Sequence, residues 1–300
     1  MPEDRQLMTN NILNIIDPHL HLFNLKDGDY SWLKPTEPPF WPDKGHINQQ
    51  FTESDITLKS SLKLSGFVHI EAGYDNQQPW REIDWLEQHC QLPFRSVAHA
   101  DLTSDNFLLQ LERLCLRPSV VGIRHILDEQ AYRLLNSPKV LEHLQILSSH
   151  QLSFDAQISL IDTEAVAKLI HLMERAPDLK VIINHGGWPP VFADLDDWQC
   201  WQKNLQRLAN YPQVAIKLSG WEMSNRQWNF DVITPVLDAC LAEFDDTRLM
   251  LASNFPLCTW RCSMQEIWQN YTEKLSLSRS TLIRLTSTNA TNWYKFNTTN

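Results

Sequence analysis

Ile15-Ile16-Asp17-Pro18-His19-Leu20-His21-Leu22-Phe23 is an apolar run that carries two histidines one residue apart. Such a run reads as a strand. Side chains on a strand alternate faces, so His19 and His21 point the same way. Two imidazoles converging from one strand can place two nitrogen ligands on one metal, or two proton carriers on one substrate. The plain alternative is a strand with two surface histidines. By the same alternation Asp17 shares their face, where it either orients a ligand or is buried near the floor of the fold.

Seven further β-type runs follow this one, Leu13–His19, at intervals to the end of the chain: Gly66–Glu71, Phe94–His99, Val120–His125, Leu152–Ile158, Lys180–His185, Gln213–Ser219 and Arg248–Ser253. Between them lie amphipathic stretches: Trp80–Cys90, Asp105–Leu116, Pro138–His150, Thr163–Arg175, Trp198–Asn210 and Asp231–Phe244. Asp162 is a good cap for the fourth of these, and Pro235 fits the last only near its start. Two more helical segments, Ser263–Lys274 and Ser278–Tyr294, come after the eighth run. Strand–helix alternation implies a parallel sheet, and eight units imply closure. The expected fold is α/β, a single (β/α)8 TIM barrel spanning residues 1–300 with a C-terminal helical extension.

In a barrel the C-terminal strand ends gather around one mouth, where such enzymes place their chemistry. Those ends carry His21, Glu71, His99 with Asp101, Arg124 with His125, Asp155 with Gln157, His185, Lys217 with Ser219, and Ser253 with Asn254. His125 faces opposite Arg124 and should pack between strand and helix. Lys217 reads as a barrel ion pair in preference to a Schiff-base lysine. The longest gap between runs holds a proline-rich stretch with Trp32 and Trp41, and aromatics on a loop of that length suggest a lid over residues 26–45.

The chain has 300 residues and a net charge of −10, which argues against nucleic acid or an anionic membrane surface as partner. No run of ~18 apolar residues occurs, and the polar start Met1-Pro2-Glu3-Asp4-Arg5 lacks a signal-peptide core, so the cytoplasm is the expected compartment. The six cysteines form no Cys-x-x-Cys pair and read as free thiols. The oligomeric state, monomer or homodimer, stays open.

Taken in order, several blocks resemble the second amidohydrolase family: Ile16 to Phe23, Gly122-Ile123-Arg124-His125, Ser153-Phe154-Asp155-Ala156-Gln157, Ile183-Asn184-His185-Gly186-Gly187, Lys217-Leu218-Ser219-Gly220 and Ala252-Ser253-Asn254-Phe255-Pro256. Thr288 to Tyr294 matches the closing helix. Within that superfamily the chain is most similar to the sugar-lactone and pyrone-dicarboxylate lactonases. The resemblance implies a hydrolase acting on a small polar lactone, sugar-derived or carboxylated. It implies that His19, His21 and His185 bind a divalent metal, zinc first, or polarise the reacting carbonyl directly. Arg124, Glu71, Asp155 and Trp32 become the expected substrate-binding residues.

One position departs from the family pattern. The usual eighth-strand residue is an aspartate that takes a proton from water, and here it is Asn254. An amide cannot accept that proton at neutral pH, though it can orient water. Asp155, Glu71 and the histidines are then the candidate bases. The departure also admits two other readings on the same scaffold. One is a metal-dependent decarboxylase, and the other is a non-catalytic protein that binds the ligand.

Overall fold

The computed structural model describes residues 12–190 and 195–296; the polar N-terminal segment lies outside them. Eight parallel strands pair in chain order: β1 (Leu13–Leu20), β2 (Leu62–Ile70), β3 (Phe94–His99), β4 (Val120–Ile126), β5 (Ser153–Gln157), β6 (Val181–Ile183), β7 (Val214–Leu218) and β8 (Leu249–Leu251). Helices α1 (Trp80–His89), α2 (Phe107–Cys115), α3 (Ala131–Leu135), α4 (Pro138–Ser149), α5 (Thr163–Arg175), α6 (Leu195–Ala209), α7 (Trp221–Ser224) and α8 (Ile233–Glu243) lie between the strands. The result is a nearly closed barrel of the (β/α)8 type. Helices α9 (Met264–Lys274), α10 (Arg279–Ile283) and α11 (Asn289–Trp293) follow β8.

Local signals explain most boundaries. Asp162 caps α5, its Oδ1 accepting from the Ala165 N–H at 2.9 Å. Ser263 and Glu266 form a reciprocal capping box at the start of α9. Pro235 sits in the first turn of α8, where its missing N–H costs no helical bond. Strands β6 and β8 are shorter than the sequence suggests. Beyond them His185 (φ 55°) and Asn254 (φ 58°) take left-handed backbone, so both side chains sit on turns at the mouth.

Below the mouth the barrel interior is apolar apart from one buried ion pair, Asp155 with Lys217. Ile16, Val68, Ile70, Val97, Val121, Ile182, Ala215 and Met250 form one buried cluster, which Ala290 and Tyr294 complete. The C-terminal extension therefore fills the barrel floor. Its Tyr294 hydroxyl donates to Asp155 Oδ2 at 2.9 Å, and Lys217 Nζ meets the same oxygen at 2.5 Å. Removing either charge of such a buried pair strands the other, at roughly 3–5 kcal/mol.

The seam that closes the barrel joins β1 to the segment after β8. Leu20 bridges Phe255 in parallel. The Asn254 N–H donates to His19 O at 2.9 Å and the His21 N–H to Phe255 O at 2.7 Å. Asp17 reinforces this seam and does not share the histidines' face. Its Oδ1 accepts from the His19 and Ser253 N–H groups at 3.1 and 3.2 Å, and its Oδ2 from Trp268 Nε1 of α9 at 3.3 Å. The cause is a register slip in β1 between Asp17 and Leu20, across Pro18. A slip of that kind reverses the alternation that simple counting assumes.

Asp17→Ala would leave two buried backbone donors and one indole N–H without an acceptor. The expected loss is about 3 kcal/mol of unfolding free energy, read from urea denaturation. A change under ~0.5 kcal/mol would mean that the seam holds without Asp17.

Candidate active site

Three histidine rings meet at the mouth, above the seam. His19 lies 5.1 Å from His21 and 4.6 Å from His185, centroid to centroid. The first pair comes from the end of β1, His19 on the strand and His21 just past it. The third is carried over by the turn Asn184–Gly187 after β6. That turn fits only because Gly220 faces it: a Cβ on Gly220 would lie 2.5 Å from His185 Nδ1, and its own φ is +73°.

All three rings are neutral at ordinary pH. Burial pushes His19 and His185 well below the usual histidine range, and the nearby Lys217 ammonium lowers both further. Burial, then the Arg124 guanidinium, brings His21 down to about 3. Hydrogen bonds fix one tautomer. His21 Nδ1 is 2.8 Å from Ile70 O, and a carbonyl only accepts, so the proton is on Nδ1 and Nε2 carries a lone pair. His185 Nδ1 pairs with Ser219 Oγ at 3.0 Å. Both nitrogens of His19 are buried, with no hydrogen-bond partner among the described residues.

A ring nitrogen tied to a carbonyl while the other stays bare is how metal-binding histidines are oriented. The donor chemistry therefore suits a divalent cation. Among the described residues, however, no three His, Cys, Asp or Glu side chains are gathered closely enough to hold one as they stand.

The charged residues expected at the mouth are paired. Arg124 donates through Nε to Glu71 Oε1 and through Nη2 to Glu71 O, both at 2.7 Å, and its Nη1 reaches Gln157 Oε1 at 3.4 Å. Burial alone would raise the Glu71 carboxyl, but the guanidinium beside it holds it below its ordinary value. Asp155 lies deeper, committed to Lys217 and Tyr294, and burial brings Lys217 down to about 8. Lys217 is thus the ion-pair lysine expected from the sequence. His125 also faces outward, accepting the Leu102 N–H at 3.1 Å.

Aromatic side chains wall the site. A small cavity of ≈ 10 Å³, room for about one water, adjoins His185 and is lined by Trp188, Pro189, Ser219, Gly220, Trp221 and Ser224. Trp188 lies 4.7 Å from the His185 ring. The proline-rich segment is ordered. Trp32 donates Nε1–H to Ala72 O at 2.7 Å and packs edge-on to Phe23. Trp41 meets Trp260 at 5.3 Å, and Arg226, 3.7 Å over the Trp260 ring, binds Asp43 at 2.7 Å. The candidate lid is thereby tied to the loops that follow β7 and β8.

One residue escaped the sequence reading. Glu222, in the single turn α7, is fully buried, and its Oε1 accepts from Asn254 Nδ2 at 2.5 Å. Burial raises its carboxyl to about 7. The available signal was an acidic residue between Trp221 and Met223, just past a strand end.

Comparison with known proteins identifies the family. An uncharacterised protein of Sinorhizobium fredii is 29% identical over 271 residues, 86% of this chain and 90% of the other. An L-fucono-1,5-lactonase of Burkholderia ambifaria is 25% identical over 244 residues, 81% of this chain and 80% of the other. Among solved structures, an amidohydrolase of Burkholderia multivorans with bound zinc superposes with a TM-score of 0.76 at 18% identity, covering 94% of this chain and 99% of its own. The model of the amidohydrolase family matches residues 16–296, nearly the whole described chain, and the protein belongs to that family as an enzyme of the amidohydrolase superfamily.

Proposed function

We propose that this enzyme hydrolyses a small, uncharged, hydroxylated lactone of the sugar 1,5-lactone type. The observation that carries the reading is His19, a buried neutral imidazole at the centre of the histidine cluster whose two nitrogens have no hydrogen-bond partner among the described residues. A buried polar group left unpaired costs about 1–3 kcal/mol, so these atoms are suited to a ligand. The relative named L-fucono-1,5-lactonase supports a sugar lactone as that ligand.

Charge pairing favours an uncharged substrate over a carboxylated one. Arg124 is neutralised by Glu71 and Lys217 by Asp155, so neither cation is free to hold a carboxylate. The Glu71–Arg124 pair offers donors and acceptors suited to sugar hydroxyls, and Trp188, tilted against the His185 ring, offers a flat face for a sugar ring. Trp32 sits at the edge of this enclosure.

Neutral histidines can still polarise a carbonyl by donating one N–H. That task falls to His19 or His185, since His21 presents a lone pair. Water held by Asn254 Oδ1 attacks the carbonyl carbon as the π electrons move to oxygen. The water proton passes to Nε2 of His21, the lone pair that its tautomer leaves bare; with a pKa of about 3 this ring is a weak base, so it takes the proton only as the carbon–oxygen bond forms and hands it on to the ring oxygen. Collapse breaks the bond to the ring oxygen, which takes that proton and leaves as an alcohol. The acid formed ionises and releases one proton to solvent. For a divalent cation, zinc first, to bind, His19, His21 and His185 would have to draw closer than they stand; held there it would supply Lewis-acid polarisation of the same carbonyl.

A pH-indicator assay over sugar and carboxylated lactones tests this directly. Uncharged 1,5-lactones should be preferred by more than about tenfold in kcat/KM, and His19→Ala should lower kcat by roughly 10²–10³. Folded enzyme that turns over no lactone would refute the proposal, and carbon dioxide release from an acid would then favour decarboxylation. Glu71→Gln should free the Arg124 charge and shift preference towards carboxylated lactones by about tenfold. An unchanged preference would mean that the pair does not set substrate charge.

A further inference from the structure

We infer that Glu222 is a positioning residue, holding the Asn254 amide with its oxygen turned away from itself and available to the water at the histidine cluster. The inference rests on the lactonase reading for the identity of the reaction. It rests on geometry for the unit itself. Asn254 donates through its backbone to His19 O and through Nδ2 to Glu222 Oε1, so one residue links the carboxylate to the histidine-bearing strand. Oxygen and nitrogen occupy opposite branches of an amide. Binding Nδ2 to Glu222 therefore leaves Oδ1 on the far branch, buried and with no partner among the described residues. An acceptor and a negative charge, which one carboxylate would combine, are here divided between two side chains.

The surroundings leave Glu222 with little else to answer to. Arg226, at the end of its own turn, donates to the Glu222 backbone carbonyl. From the segment after β8 come Cys258 and Cys262, and from α9 comes Tyr271, which donates its hydroxyl to Ala252 O at 3.2 Å. Burial raises Cys258 and Tyr271 well above their ordinary values and Cys262 to about 11, so all three stay uncharged. Arg226 is a charged group that acts on the Glu222 carboxylate, and it draws the carboxyl downward.

Protonation reverses the arrangement. A protonated Glu222 can donate to Oδ1 of Asn254, and the amide then turns its N–H branch outward. The outward group changes from acceptor to donor. Water orientation is favoured above the Glu222 pKa and lost below it, which places the acidic limb of activity near pH 7. The stability sign is the opposite. A carboxyl raised in the folded state stabilises at low pH, and that contribution is lost as pH rises through about 7. Glu222→Gln should therefore be no less stable than wild type at pH 8.

The test compares wild type, Glu222→Gln, Asn254→Asp and the double variant on the lactone that the wild type hydrolyses best. Glu222→Gln should lower kcat by roughly 10–100-fold with KM within about threefold, and should lose the limb near pH 7. Glu222→Gln with Asn254→Asp moves the charge to the seam and should recover most of the activity. An unchanged kcat and pH profile in Glu222→Gln, or a loss matched by lower stability, would overturn the inference. Carboxyl ¹³C NMR of the wild type, assigned by difference from Glu222→Gln, separates this from the lactonase reading. The Glu222 carboxyl, told apart in this way from the raised carboxyls of Asp17 and Glu82, should titrate near pH 7 and move in Asn254→Ala, whether or not any lactone is hydrolysed. Titration in the ordinary carboxylate range, or indifference to Asn254→Ala, would show that the two side chains do not act together.

Discussion

The site depends on how the barrel closes. The seam between β1 and the segment after β8 is made by a few backbone bonds, and those bonds involve His19, His21 and Asn254, the residues proposed to do the chemistry. Asn254 reaches His19 O, and His21 reaches Phe255 O. Asp17 ties the His19 and Ser253 N–H groups together from the helix side. Barrel closure and histidine placement are thus one event. A side chain held by the closing ladder cannot drift without opening the barrel, and a catalytic arrangement needs that rigidity.

Charge arrangement around the seam follows from burial. Lys217 and Arg124 lie close enough to disfavour protonated imidazoles, yet each is bound to a carboxylate, Asp155 or Glu71. The barrel floor holds one pair in place through Tyr294, a residue of the last helical turn. The C-terminal extension therefore reaches the chemistry indirectly, by locking Asp155, which locks Lys217, which helps keep His19 and His185 neutral. Neutral rings offer lone pairs and single N–H donors, the properties that a carbonyl substrate or a divalent cation can use.

Much of this was legible in the sequence. Strand–helix alternation specified the barrel, and period-two counting placed His19 and His21 together. Lys217 at a strand end read correctly as an ion-pair residue. Counting failed at Asp17 because it assumes an unbroken register, and the slip across Pro18 is a property of how β1 pairs with β2. His185 read as the last residue of its strand and Asn254 as the strand-end residue after Ser253, but both sit on left-handed turns, since a strand end and the turn after it look alike in sequence. Glu222 was missed for another reason. Its partner Asn254 is 32 residues away, and nothing local marks an acidic residue on a one-turn helix as facing inward. Likewise the proline-rich stretch was recognisable as a loop, but its tie through Asp43 to Arg226 is a contact across 183 residues.

The central claim is that closure of the barrel presents neutral histidines of fixed tautomer to the substrate. Nitrogen-15 NMR of the histidine rings between pH 5 and 8 tests it most directly. The expected spectrum has His21 neutral throughout, protonated on Nδ1 and bare on Nε2, with His19 and His185 also uncharged. An imidazolium forming near pH 6–7 at His19 or His21, or a proton on Nε2 of His21, would contradict both the geometry of the seam and the chemistry drawn from it.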